Sequence, residues 1–146
     1  MDLAKEKSRI LEQLCKYAWL LDERNFDQWL ELFAEDASYV VTTQENVRCG
    51  HAFGPIMEKK SSLAERLAEL KKLWWVEPVV TSRVISNVLV ELTGAGEART
   101  RFYMTIYKTS ENQVSELFSC AKCWVSWRKI EGDWRIQEFK AVLDAD

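Results

Sequence analysis

The sequence predicts an α+β fold in which helices come first and a curved antiparallel sheet follows. Two observations predict it. In the first half, apolar residues recur at spacings of three and four, as they do on one face of a helix. In the second half, long β-rich runs are separated by the short turns TGAG, SEN and EGD, which is typical of an antiparallel meander. The sequence contains no evident internal repeat or linker, so we expect one domain over residues 1–146.

Three helices are predicted in the first half. The first covers residues 3–22, and Asn25 can cap a short second helix in FDQWLELF. Ser62 stands three residues before Glu65, a capping-box pattern at the head of LAERLAELKKLWW. That third helix should end at Glu77-Pro78, because a residue that precedes proline avoids the helical region. The apolar stripe of the first helix consists of Ile10, Leu11, Leu14, Cys15, Ala18 and Leu21.

The strands follow from β-rich runs between turn residues. SYVVTT predicts the first strand, and QENVRCGHAFGPIM predicts a loop with a short strand. Four longer strands come after residue 80: SRVISNVLVEL, EARTRFYMTIYKT, QVSELFSCAKCWVSWRKI and DWRIQEFKAVLD. The second of them carries Phe102 and Met104 on one face and Tyr103 and Tyr107 on the other. Because both faces are apolar, we expect helices on one side of the sheet and a second protein surface on the other.

Composition limits the possible partners. The formal charge is −3 and no basic stripe is present, which argues against nucleic acid. No apolar stretch approaches the roughly 20 residues that a membrane-spanning helix needs. The first ten residues, MDLAKEKSRI, are charged and helical rather than typical of a signal peptide, so we expect a cytoplasmic protein.

The histidine and cysteine counts limit the chemistry. His51 is the one histidine, whereas a facial-triad iron site needs two histidines and a Rieske cluster needs two histidines with two cysteines. This chain cannot supply either set by itself, and we expect it to hold no metal or cofactor. Cys120 and Cys123 form a C-x-x-C within a predicted strand, where they point to opposite faces. They are therefore interpreted as small core residues.

The stretch TSRVISNVLV, residues 81–90, combines polar and aliphatic residues. Strict alternation places Thr81, Arg83, Ile85, Asn87 and Leu89 on one face. A buried guanidinium requires a carboxylate or several carbonyls, so we expect Arg83 to be paired with an acidic residue. Arg83 and Asn87 are interpreted as residues that fasten this strand to another element or subunit. Trp74 and Trp75 are interpreted in the same way, as core or interface anchors.

A catalytic alternative uses His51. An imidazole that follows the first strand could act as a general base, with Asp36, Tyr39 or Tyr103 assisting in a dehydratase-like pocket. The ordinary interpretation is that His51 is a hydrogen-bonded loop residue and that Asp36 ends a turn. The sequence leaves both interpretations open.

Three blocks of the sequence resemble the small (beta) subunits of Rieske-type aromatic-ring-hydroxylating dioxygenases. They are YAWLLDERNFDQWLELFAEDASYVV, EPVVTSRVISNVLV and ELFSCAKCWVSWRKIEGDWRIQEFKAVLD, in the family's order and spacing. The resemblance implies that the chain is a member of the nuclear-transport-factor-2-like (SnoaL-like) superfamily and has its cone-shaped fold. The element order predicted above, helices before a long meander, is the order of that fold.

The resemblance also implies a division of labour between two chains. In that family the large (alpha) subunit carries the Rieske 2Fe–2S cluster, the mononuclear iron and the substrate pocket. The small subunit carries no metal or catalytic residue and holds a hexamer of three large and three small chains together. Two other functions remain open for this fold: a stand-alone dehydratase or isomerase, and a small-ligand-binding module that uses a central cavity.

Overall fold

The computed structural model describes residues 2–49, 56–73 and 79–144. Its helices are α1 (Leu3–Asp22), α2 (Phe26–Leu30), α3 (Gln44–Arg48) and α4 (Lys60–Leu73). Its strands are β1 (Phe33–Thr43), β2 (Ile56–Lys59), β3 (Val80–Gly94), β4 (Glu97–Thr109), β5 (Ser115–Ile130) and β6 (Asp133–Leu143). The predicted first helix and the four long strands are confirmed, because each begins and ends close to the predicted residues.

One curved sheet contains all six strands, in the order β2-β1-β6-β5-β4-β3. Every neighbouring pair is antiparallel except β1 and β6, which run parallel with Tyr39 opposite Phe139. The hairpins β3–β4, β4–β5 and β5–β6 form the predicted meander. Helices α1 and α4 pack against this sheet, α2 packs against α1 and α4, and the predicted α+β cone is confirmed.

Aromatic rings fill the space between α1 and the sheet. Tyr17 stacks on Phe139 of β6 with their centroids 4.7 Å apart, and Trp29 lies 4.7 Å from Phe33. All four side chains are almost fully buried. Rings of this size each remove a large apolar area from water, so this cluster supplies much of the stabilisation of the core.

A buried carboxylate ties the start of α1 to the β5–β6 hairpin. Glu6 is only 6% exposed, and it accepts a hydrogen bond of 2.6 Å from Trp134 Nε1 and one of 3.1 Å from Lys129 Nζ. The hydrogen bond from Trp134 is the main cause that lowers the pKa of Glu6, with Lys129 second. Glu6 therefore stays charged inside the protein because its charge is matched.

The short elements differ from the prediction in several places: α2 ends at Leu30, Asn25 precedes it without a side-chain capping hydrogen bond, and β1 begins at Phe33 rather than Ser38. Residues 44–48 form helix α3 rather than a loop, and Thr43 Oγ1 caps it by accepting from Asn46 N at 3.2 Å. Helix α4 begins at Lys60, so the predicted start after Ser62 was wrong. Lys60 Nζ reaches back to Phe33 O at 3.1 Å and to Glu35 at 2.9 Å, so the first residue of α4 is tied to β1.

Strand β3 contains a β-bulge that overturns the predicted alternation. Ser86 pairs with Tyr103 but Leu89 pairs with Arg101, so β3 carries one extra residue between these pairs. Asn87 occupies it with φ 56°, a left-handed conformation that Asn tolerates better than most residues. Thr81, Arg83 and Ile85 face the core as predicted. Beyond the bulge Val88, Val90 and Leu92 face inward, and Asn87 and Leu89 lie on the outer face instead.

Candidate functional site

A cavity of about 800 Å³ lies between α1 and the concave face of the sheet. Its size falls within the range of small-molecule sites in proteins. Most of its wall is apolar, and the apolar lining residues are Val41, Met104, Ile106, Leu117, Phe118, Ala121, Ala141 and Leu143. The polar lining residues are Tyr17, Tyr39, Arg83, Ser119, Cys120 and Asp144.

Two phenols meet inside this cavity. Helix α1 supplies Tyr17 and strand β1 supplies Tyr39, and their hydroxyl oxygens lie 2.9 Å apart. Burial raises the pKa of Tyr17 well above its usual value and also raises the pKa of Tyr39. Both phenols are therefore protonated at neutral pH. One hydrogen bond uses one of the two hydroxyl protons, so the second proton can be donated to a ligand.

Arg83 is paired with Asp22, the last residue of α1. Asp22 accepts hydrogen bonds from Arg83 Nη1, from the backbone N of Arg83 at 2.7 Å and from Thr81 Oγ1 at 2.9 Å. The two side chains are 17% and 18% exposed. The prediction that Arg83 has an acidic partner is confirmed, and that partner belongs to the same chain. The contact fastens the end of α1 to the beginning of β3.

One polar atom of this pair is left without a partner. Among the described residues, no acceptor lies within hydrogen-bond distance of the buried Arg83 Nε. Arg83 lines the cavity together with Tyr17 and Tyr39, but its Nε is buried in the wall, so the donor that the cavity offers to a ligand is the spare phenol proton. A ligand oxygen that accepts this proton would be stabilised by a hydrogen bond in a mostly apolar site.

A family model of the SnoaL-like domain matches residues 3–140 of the chain. The chain belongs to the SnoaL-like domain family. Comparison with curated protein sequences found no match.

Solved structures that resemble this SnoaL-like domain have different functions. A candidate beta subunit of an aromatic-ring-hydroxylating dioxygenase from Novosphingobium aromaticivorans DSM 12444 superposes with a TM-score of 0.88 at 20% identity, covering 99% of this chain and 94% of that one. The beta subunit of benzoate 1,2-dioxygenase from Burkholderia mallei ATCC 23344 gives 0.80 at 20% identity, with coverages of 99% and 91%. A candidate scytalone dehydratase from Novosphingobium aromaticivorans DSM 12444 gives 0.76 at 14%, with coverages of 96% and 85%. At these identities the matches establish the fold alone.

The structure separates the residues of the predicted catalytic alternative. Tyr39 lines the cavity, whereas Asp36 is exposed and pairs with Arg128 at 3.1 Å. A hydrogen bond from Gln137 is the main cause that lowers the pKa of Asp36. Tyr103 is 48% exposed and does not line this cavity. The structure therefore does not bring these three side chains together.

Three sequence-based candidates, His51, Trp74 and Trp75, lie outside the described residues. A role for His51 as a general base stays a prediction, and so do the anchoring roles of the two tryptophans.

The C-x-x-C cysteines are free thiols. Cys123 is fully buried, and burial raises its pKa to about 12, which makes it unreactive at neutral pH. Cys120 is half-buried and lines the cavity. Within the described ranges, no group of three or more His, Cys, Asp or Glu side chains could hold a metal ion. The residues described in this SnoaL-like domain thus do not fit a Rieske cluster or a mononuclear iron.

The sequence interpretation named Tyr39 and Arg83 but missed Tyr17, which lies with them in the polar part of the cavity. Tyr17 follows Leu14 by three positions, and its place on the α1 stripe could have indicated burial. Nothing in the local sequence indicates that it meets Tyr39.

None of the described helices is long and apolar enough to cross a membrane.

Proposed function

We propose that this SnoaL-like domain is the non-catalytic small (beta) subunit of an aromatic-ring-hydroxylating dioxygenase. The observation that carries the proposal is its superposition, over 99% of its length, on two proteins described as such subunits. The TM-score of 0.88 with one of them exceeds the 0.76 obtained with the dehydratase-like structure. The superposition covers 99% of this chain and 94% of the first of these subunits, so neither protein has a large helix or sheet that the other lacks.

The chemistry of the chain supports this assignment. A single histidine cannot supply the ligands of either iron centre, so the Rieske cluster and the mononuclear iron would belong to the large subunit. Inside the cavity, Arg83 is neutralised by Asp22 and the two phenols bond to each other. These contacts stabilise the packing of α1 on the sheet. The chain would then contribute assembly surface, as one of three small subunits in a hexamer.

Co-expression tests this proposal directly. The chain should co-purify with a dioxygenase large subunit from the same genome as a complex of three copies of each, and the complex should contain iron. Tyr39→Phe, which removes one cavity hydroxyl, should assemble and support ring hydroxylation as well as the unaltered chain does. A chain that remains alone beside every large subunit of that genome contradicts the proposal, and so does a large subunit that is equally soluble and active without it.

The spare phenol proton in the cavity favours a second candidate function, the binding of a small apolar molecule. The Arg83–Asp22 pair is neutral as a whole, so a ligand carboxylate would bring an unmatched charge into a mostly apolar site. A carbonyl or hydroxyl oxygen would accept from a phenol without that cost. The expected ligand is therefore an aromatic-sized molecule with one neutral oxygen.

Three probes of one shape test this second function. 1-Naphthol, naphthalene and 1-naphthoate differ only in the polar substituent, and their affinities can be measured by titration calorimetry. 1-Naphthol should bind about tenfold more tightly than the other two, a ratio that corresponds to one well-placed hydrogen bond. Tyr39→Phe should reduce that preference, whereas Tyr103→Phe, on the outer face, should not. Equal affinity for all three probes, or no binding, contradicts this function.

A further inference from the structure

The outer face of the sheet presents a straight row of side chains at its centre. Leu89 of β3 pairs with Arg101 of β4, Arg101 pairs with Trp124 of β5, and Trp124 pairs with Lys140 of β6. Directly registered residues on neighbouring strands share a face, so these four side chains lie side by side. We call them the outer row. It faces away from the cavity and from helix α1.

Large apolar side chains in and beside the outer row are accessible. Leu89 is 56% exposed and Trp124 is 45% exposed, and Tyr103 beside them is 48% exposed. A hollow of about 540 Å³ opens between these residues, and Asn87 and Arg101 also line it. The bulge at Asn87 creates this geometry, because it turns Asn87 and Leu89 outward. The hollow is large enough to receive one or two side chains of another protein.

The charge of the outer row differs in sign from that of the whole protein. Within the described structure, no carboxylate lies within ion-pair distance of Arg101 or Lys140, which stand on either side of Trp124. The nearby Lys122 is already bound to Asp144 at 2.6 Å. The chain as a whole carries −3. Two unmatched cations therefore flank an exposed tryptophan on a protein that is otherwise acidic.

We infer that the outer row is the docking site for an acidic surface of the large subunit, which inserts an apolar side chain into the hollow beside Trp124. Carboxylates of that surface would pair with Arg101 and Lys140. Trp, Tyr and Arg are the residue types that most often dominate the energy of a protein interface. This inference rests on the proposed function, since it assigns the large subunit to this face.

Charge argues against a face-to-face dimer and against nucleic acid. A symmetric contact between two copies of this face would bring Arg101 and Lys140 close to the same residues of the second copy, and like charges across an interface cost several kcal/mol. Single-stranded nucleic acid also binds to faces with aromatic and basic residues. It requires a longer basic track than two unpaired cations on a protein of charge −3.

The experiment measures the dissociation constant between this chain and the large subunit with which it co-purifies. Trp124→Ala and Arg101→Glu should each weaken binding at least about tenfold. Matched controls lie on α1: Trp19→Ala, which removes a tryptophan that is 68% exposed, and Lys16→Glu, which makes the same kind of charge reversal at an exposed position. Both controls should stay within about twofold of the unaltered chain. All four positions are exposed, so circular dichroism should show unchanged folding.

Salt provides a second readout. Raising NaCl from 50 to 300 mM should weaken binding by the unaltered chain, and it should weaken binding by Arg101→Glu less, because that variant has lost an attractive charge. Unchanged affinity in both outer-row variants overturns the inference while the proposed function stands. Failure of the unaltered chain to bind any large subunit overturns both. Loss of self-association in these variants, or tighter binding to an oligonucleotide than to the large subunit, overturns the inference in favour of those occupants.

Discussion

Removing the Asp22 carboxylate should destabilise the protein far more than removing an exposed carboxylate. In Asp22→Ala, the guanidinium of Arg83 loses its ion pair, and the backbone N–H of Arg83 and the hydroxyl of Thr81 lose their acceptor. Arg83 is only 17% exposed, so water replaces these partners incompletely. The contact also joins α1 to β3, so its loss frees the end of the helix.

The expected loss is about 2 kcal/mol of unfolding free energy, below the roughly 3–5 kcal/mol measured when one partner of a fully buried ion pair is removed, because this pair is part-buried. For a chain of this length, that corresponds to a melting temperature lower by roughly 4–8 °C. Arg83→Met should cost less, about 1–2 kcal/mol, because Asp22 keeps its hydrogen bonds from Thr81 and from the backbone of residue 83. The double variant should lose at least about 1 kcal/mol less than the sum of the single losses, because no charge is stranded.

Urea unfolding followed by tryptophan fluorescence at pH 7 measures these free energies. Asp36→Ala is the matched control, since Asp36 is paired with Arg128 on the surface with its own side chain 65% exposed. That control should unfold at the same urea concentration as the unaltered protein. An Asp22→Ala loss below about 1 kcal/mol, or strict additivity with Arg83→Met, would refute the reasoning that this part-buried pair holds α1 to β3.

Three further predictions follow from other parts of the structure. Hydrogen bonding from Trp134 lowers the pKa of Glu6 in the folded protein. The Glu6 carboxylate therefore contributes fully to stability above pH 4.5, and this contribution is lost as pH falls through the folded pKa. In urea unfolding measured at several pH values, Glu6→Gln should reduce this acid dependence. Asn87→Val should cost about 1–2 kcal/mol because a β-branched residue is strained at φ 56°, whereas Asn87→Gly should be tolerated. Cys123 should resist a thiol reagent at pH 8 until the protein unfolds, whereas exposed Cys15 should react at once.

Each of these predictions has a result that would contradict it. Equal acid sensitivity of Glu6→Gln and the unaltered protein would mean that Glu6 is not the group responsible. If Asn87→Val is as stable as Asn87→Gly, the left-handed conformation at the bulge is not required. Rapid labelling of Cys123 in the folded protein, identified by mass spectrometry, would show that the strand around it opens easily.

Local patterns predicted most of the secondary structure. The stripe from Ile10 to Leu21 predicted α1, and the apolar runs between short turns predicted β3 to β6, because helix and strand periods depend only on nearby residues. The prediction was wrong at Ser62, where the capping pattern lies inside α4. The first residue of α4, Lys60, contacts distant β1 residues instead, which the local pattern does not indicate.

The polar part of the cavity depends on contacts between distant parts of the chain. The sequence indicated that Arg83 needs an acidic partner, since a buried guanidinium is costly without one. It did not identify Asp22, which lies 61 residues away, nor the meeting of Tyr17 with Tyr39. Many carboxylates and phenols in the chain satisfy the same chemical requirement, and only the packing of α1 on the sheet selects among them.

The sequence by itself determined the order of helices and strands, the requirement for a partner at Arg83 and, with one histidine, the lack of a ligand set for either iron centre. Tertiary structure alone decided the faces of β3. Strict alternation placed Asn87 and Leu89 inward, but one extra residue against β4 reverses every side chain beyond Ser86. A bulge depends on how two strands pair rather than on either strand alone. For that reason the pairing of β3 with β4, and not the pattern of TSRVISNVLV, forms the outer row and the hollow beside Trp124.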